Sequence, residues 1–217
     1  MLLLDLMAKM MVKVKICGIT NATDARFAAA AGADALGFVF VPRSARYIAP
    51  EKAAAIIADL PPLVHTVGVF VDQEPERVMA VAALCRLDYV QLHGRETPRT
   101  CEACRACGVI KAFRIQTRDD LRQLDRYRAD ACLLDTYVPD RDGGTGAAFD
   151  WEIARAAGAT GMPVILAGGL NPGNAAQAVA AARPMAVDVS SGVEEAPGRK
   201  NKRLVEDFIR AAKSVDL

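Results

Sequence analysis

The sequence predicts an α/β chain folded as a single (β/α)8 barrel of the TIM class, with eight parallel strands. Three observations lead there. Short runs rich in Val, Ile, Leu, Phe and Ala alternate with alanine-rich helical stretches, and the count of such units is eight. Successive runs start 21 to 33 residues apart, the length of chain a βαβ crossover needs. Polar residues gather at the ends of the runs and leave the middles apolar, as in parallel strands covered by helices.

The eight strands are read at 12–17, 34–40, 64–70, 88–93, 109–114, 130–135, 163–167 and 185–189, each followed by a helical segment, the last helix near 201–213. In the first strand, Val12, Val14 and Ile16 share an apolar face suited to helices. Lys13, Lys15 and Cys17 share the other, so Cys17 points inward with Lys15 one layer below. An open doubly wound sheet is the main rival topology. It would be favoured by a glycine fingerprint after the first strand, and CGIT at 17–20 is not one. AGAD at 31–34, echoed in part at 127–130, marks a helix end running into a new strand.

The chain has 217 residues, 52% of them apolar and 24% charged, which suits one sizeable globular core. Residues 11–217 are assigned to the barrel and residues 1–10 to an N-terminal extension, a frayed tail or start-site addition. That stretch is too short and wrongly flanked for a usual signal peptide. Lys and Arg total 27 against 26 Asp and Glu, so the formal charge of +1 makes no global case for nucleic acid or an anionic membrane. No uncharged apolar run reaches the length of a membrane span. Six cysteines without a secretion signal read as free thiols in a reducing, cytoplasmic compartment. Cys101, Cys104 and Cys107 form a C-x2-C-x2-C run, read as packing along one side of a helix ending at Gly108. No metal site is assigned.

Parallel barrels place active sites at the carboxyl ends of their strands. Cys17 there is either a buried structural thiol or a base or nucleophile, with the Lys15 ammonium favouring its thiolate. Asp135 either solvates a strand end or serves as general acid with a raised pKa. His93 ends the fourth strand and is a candidate to orient a ligand; His65, opening the third, is structural. Gly168 and Gly169 precede a helix expected to start at Asn171 with Pro172 in its first position. With Ser191 and Gly192 after strand eight, they fall in the two loops that commonly hold phosphate in this architecture. Arg46, and less surely Arg43, offers a planar fork for a carboxylate, a surface salt bridge being the alternative. The glycine-rich loop 136–149 reads equally as a hinged cover or a plain flexible loop, and Trp151 packs the helix after it.

Taken together, VKVKICGIT at 12–20, GFVFVPRSARYI at 37–48, VGVFV at 67–71, VQLHG at 90–94, LLDT at 133–136, GGTGAAFDW at 143–151, LAGGLNPGN at 166–174 and DVSSGVEEAPGRK at 188–200 resemble the N-(5'-phosphoribosyl)anthranilate isomerases of tryptophan biosynthesis. The resemblance runs from about Val12 to the final helix. It implies an Amadori rearrangement of an aminoaldose to an aminoketose, with Cys17 as base and Asp135 as acid. It places Arg46 near the anthranilate carboxylate, His93 and Asp188 in the substrate pocket, and Gly168, Gly169, Ser191 and Gly192 around the phosphate. No cofactor is implied, because the imine intermediate is its own electron sink. The only partner implied is a small phosphorylated substrate, without nucleic acid or membrane, and the chain is expected to be a monomer or homodimer. Two positions depart from the family pattern: Ala45, often proline, and Asn201, often aspartate. The related Amadori enzyme of histidine biosynthesis pairs two aspartates, so Cys17 argues against it; a silent phosphate-ligand binder would not need the Cys17/Asp135 pair.

Overall fold

The structure is a computed structural model that describes residues 11–115, 117–135 and 151–216. Eight parallel strands close into a barrel in sequence order: β1 Lys13–Cys17, β2 Ala35–Val39, β3 His65–Phe70, β4 Tyr89–Leu92, β5 Gly108–Arg114, β6 Ala131–Asp135, β7 Val164–Ala167 and β8 Ala186–Val189. Closure comes from β1 pairing with β8, Lys15 lying opposite Asp188. Around the barrel run α1 Ala22–Ala30, α2 Pro50–Ala58, α3 Pro75–Cys85, α4 Pro98–Ala103, α5 Trp151–Gly158, α6 Ala175–Ala182 and α7 Lys202–Lys213. The residues assigned to the N-terminal extension and the loop 136–149 lie outside the described residues.

The helix starts follow local chemistry. Pro50, Pro75 and Pro98 occupy first-turn positions, where a missing N–H costs nothing. Asn21 and Asn201 accept the backbone N–H groups of Asp24 and Leu204 through their side chains. The aspartates that precede alternate strands bond across the strand starts at the amino-terminal rim of the barrel. Asp34, Asp88 and Asp130 accept the N–H groups of Val14, Thr66 and Val109 at 2.9, 2.7 and 2.8 Å. Each carboxylate thereby satisfies a backbone donor at the start of the preceding strand.

Two apolar layers result. Val12, Val14, Ile16, Phe38, Phe70 and Phe208 belong to the large layer between strands and helices. Val67, Ile110, Leu133 and Ile165 belong to the smaller one within the barrel. Alternation along β1 is as expected, with Lys15 and Cys17 in the interior.

One helical segment takes a tighter form than an α-helix, and two expectations need correction. The segment after β5, Arg118–Arg126, is a 3-10 helix with a Thr117/Asp120 capping box. The helix carrying the cysteine run stops at Ala103, because Cys104 and Arg105 turn back onto the carbonyls of Cys101 and Glu102. Cys101 and Cys104 are buried and Cys107 is half-buried beyond the helix, so the three do not share a helical side. Finally, α6 begins at Ala175 and not at Asn171. Asn174 Oδ1 takes the N–H of Asn171, and Asn171 Oδ1 takes that of Gly173, both at 2.8 Å; this asparagine-locked turn delays the helix.

Candidate active site

Cys17, Arg46, His93, Asp135, Gly168, Gly169, Asp188 and Ser191 line one cavity of about 350 Å³ at the carboxyl ends of the strands. A larger neighbouring space of about 730 Å³ also reaches His93 and Asp135. Gly192 does not line the cavity. A Cβ there would run into the Leu170 carbonyl, so this glycine lets the loops after β7 and β8 approach each other. Gly168 and Gly169 have φ of 86° and 65°, conformations that favour glycine. His65 lies at the start of β3, edge-on to Tyr89 and remote from the cavity.

Beneath Cys17, buried Lys15 donates to Gln91 Oε1 and Asp188 Oδ1, both at 2.9 Å. Burial alone would lower the lysine's pKa, but Asp188 and Cys17 together outweigh it and the value is raised. Burial pushes the Cys17 thiol up, and the nearby ammonium groups of Lys15 and Lys200 offset this only in part. The sequence-based expectation of a thiolate favoured by Lys15 is thus half right. Lys15 does pull the thiol down, but desolvation and the Asp188 charge push it further up.

On the opposite wall, Gln91 Nε2 lies 2.7 Å from His93 Nδ1, and His93 Nε2 lies 3.4 Å from Asp135 Oδ2. Arg46 faces the cavity but meets a carboxylate of its own chain. Its Nε and Nη2 hold Glu194 at 3.0 and 2.6 Å. This pairing raises the arginine's pKa. Glu194 also accepts from Lys200 Nζ at 2.8 Å. Burial would raise the Glu194 pKa; its two cationic partners bring it below the ordinary value. Lys200 goes down, because burial outweighs a carboxylate it must share with Arg46.

Glu194, Lys200 and Gly37 were not singled out from sequence. Glu194 and Lys200 sit on the hairpin β9 Glu194–Ala196 and β10 Arg199–Lys200, turned by Gly198 with φ 78°. The signal available was the Pro-Gly turn between two charged pairs. Gly37 pairs with Cys17 across β1 and β2, and a Cβ there would lie 2.7 Å from the sulfur. Gly18, at φ 79°, similarly makes room for Arg46. Among the described residues, no three His, Cys, Asp or Glu side chains are grouped to hold a metal ion.

A cavity lined by titratable groups at this end of a closed parallel barrel is the active-site position of a (β/α)8-barrel enzyme. The family profile for N-(5'phosphoribosyl)anthranilate (PRA) isomerase matches residues 14–211. An N-(5'-phosphoribosyl)anthranilate isomerase of Geobacter sulfurreducens is 56% identical over 203 residues, covering 94% of this chain and 99% of that protein. The crystal structure of phosphoribosyl anthranilate isomerase from Thermotoga maritima superposes with a TM-score of 0.88 at 47% identity, covering 94% of this chain and all of that one. A second such isomerase, solved with reduced 1-(o-carboxyphenylamino)-1-deoxyribulose 5-phosphate, gives 0.84 at 44% with the same coverage. The chain belongs to the N-(5'-phosphoribosyl)anthranilate isomerase family.

Proposed function

We propose that Cys17 and Asp135 are the base and the acid of an Amadori rearrangement run by the domain 11–217. The reaction converts N-(5'-phosphoribosyl)anthranilate to 1-(2-carboxyphenylamino)-1-deoxyribulose 5-phosphate in tryptophan biosynthesis. Asp135, protonated, gives its proton to the furanose ring oxygen, and the C1'–O bond breaks to leave a protonated imine. That cation acidifies the C2' hydrogen. Cys17 as thiolate removes it, the electron pair neutralises the imine, and the resulting enolamine tautomerises to the ketone.

The observation that carries this reading is that Cys17 on β1 and Asp135 on β6 line one cavity from distant strands. Arg46, clamped through Nε and Nη2, turns its remaining Nη1 edge to the anthranilate carboxylate. His93 and Asp188 complete the substrate pocket, and Gly168, Gly169 and Ser191 cradle the phosphate, with Gly192 acting only by letting the loops after β7 and β8 meet. Six unpaired cysteines favour a cytoplasmic setting. Among the described residues no helix is long and apolar enough to cross a membrane. The partner is the small phosphorylated substrate, not nucleic acid or lipid, and the working form is a monomer or homodimer.

The test follows loss of substrate fluorescence with purified wild type, Cys17→Ala and Asp135→Asn, with a product-consuming synthase present. Each substitution is expected to lower kcat by about 100-fold or more, or about 3 kcal/mol in the barrier. A folded variant within about threefold of wild type removes that residue from the assignment.

A further inference from the structure

A chain of polar side chains runs from Lys15 beneath the cavity through Gln91 and His93 to Asp135 in its wall, and its donors and acceptors permit one arrangement. Lys15 is buried, with an ammonium that only donates. The Gln91 atom 2.9 Å from it must therefore be the amide oxygen. That fixes the amide nitrogen, which only donates, against His93 Nδ1 at 2.7 Å. Nδ1 must accept, so it carries no proton. The proton of neutral His93 then sits on Nε2, which faces Asp135 Oδ2.

We propose that Gln91, itself oriented by Lys15, is a positioning residue that fixes His93 as its Nε2–H tautomer and so directs the proton of Asp135. The inference rests on the reading of Asp135 as the acid. With Oδ2 accepting from His93, the transferable proton resides on Oδ1. When that proton passes to the ring oxygen, the electron pair left on the carboxylate is met by the Nε2–H already in place. The long 3.4 Å separation leaves room for this bond to tighten as charge develops. The other tautomer would set an N–H against the Gln91 amide N–H, losing that contact, and would draw the Asp135 proton onto Oδ2, away from the substrate.

The experiment uses the full chain with ring-labelled histidine and reads the tautomer from the nitrogen chemical shifts. Only His65 and His93 contribute, and His65→Asn assigns them. Wild-type His93 is expected to carry its proton on Nε2. Gln91→Glu replaces the amide donor with an acceptor, which should move the proton to Nδ1. It should also lower kcat by about tenfold or more while KM stays within about threefold. Gln91→Met, which only removes the donor, should give a mixture of tautomers and an intermediate kcat, and serves if the glutamate variant does not fold. A wild-type proton on Nδ1, an unchanged tautomer in a folded variant, or a changed tautomer with wild-type kcat each overturns the proposal. Full activity in Asp135→Asn would instead overturn the acid assignment, while the tautomer measurement would stand by itself.

Discussion

Cys17 has Lys15, Asp188 and Lys200 around it, and these charges partly cancel. Burial decides the balance and lifts the thiol above its ordinary value. The thiolate fraction of the free enzyme is then small at neutral pH and grows as pH rises. Because the reaction also needs Asp135 protonated, the gain in thiolate is offset by loss of the acid, and kcat/KM should stay level through about pH 8.5, where an unperturbed thiol would already bring on the alkaline fall. An alkaline fall that set in below that pH would show that the thiol is not held up. Arg46 is governed by a different balance. Its bond to Glu194 spans 148 residues of chain and holds the guanidinium at the cavity edge before any substrate arrives. Glu194→Gln leaves a neutral amide that still accepts a hydrogen bond but no longer carries the charge for Arg46 and Lys200. The expected outcome is a KM raised by about tenfold with a smaller change in kcat, read from initial rates. An unchanged KM would detach Arg46 from substrate binding.

Among the elements, the aspartates before β2, β4 and β6 repeat one device: a carboxylate closing the start of the neighbouring strand. Asp34 is the most heavily engaged, with Lys13 and Lys213 beside the Val14 N–H. Burial would raise its pKa, but the Lys213 and Val14 hydrogen bonds bring it below the usual carboxylate value. A carboxylate lowered on folding adds stability above its unfolded pKa and loses it as pH falls through the folded one. Asp34→Asn should therefore cost about 1 kcal/mol at neutral pH, a modest figure because the ion pairs are partly solvated. The difference from wild type should close as pH drops below about 3.9. Urea unfolding across a pH series tests this, and a difference that persisted in acid would assign the effect to packing.

The whole barrel depends on joining its first and last units. β1 pairs with β8, and α7 packs on α1, α6 and β1, with Phe208 fully buried in the seam. Phe208→Ala should cost about 3–5 kcal/mol and lower Tm by about 10 °C. A shift of only a degree or two in calorimetry would mean the seam relaxes around the loss. Strand positions were legible to within about a residue, because apolar runs bounded by Asp, Gly and Pro mark them directly. Cys17, Asp135 and His93 were legible because a parallel barrel sends the last residue of each strand to the same end. The helix after β5 read as helical but not as 3-10, and α6 read as starting too soon. Such turns are settled by reciprocal side-chain bonds, as between Asn171 and Asn174, and not by periodicity. Taken alone, then, the sequence determined the alternation of strands and helices, their order, and which polar groups stand at the strand ends; these are local properties of pattern and spacing. The tertiary structure alone decided who pairs with whom: Lys15 with Gln91 and Asp188, Arg46 with Glu194, and the net charge environment of Cys17. Those partners are 76 to 173 residues apart, and only closure of the barrel brings them within hydrogen-bond reach, in a space dry enough for burial to shift their protons.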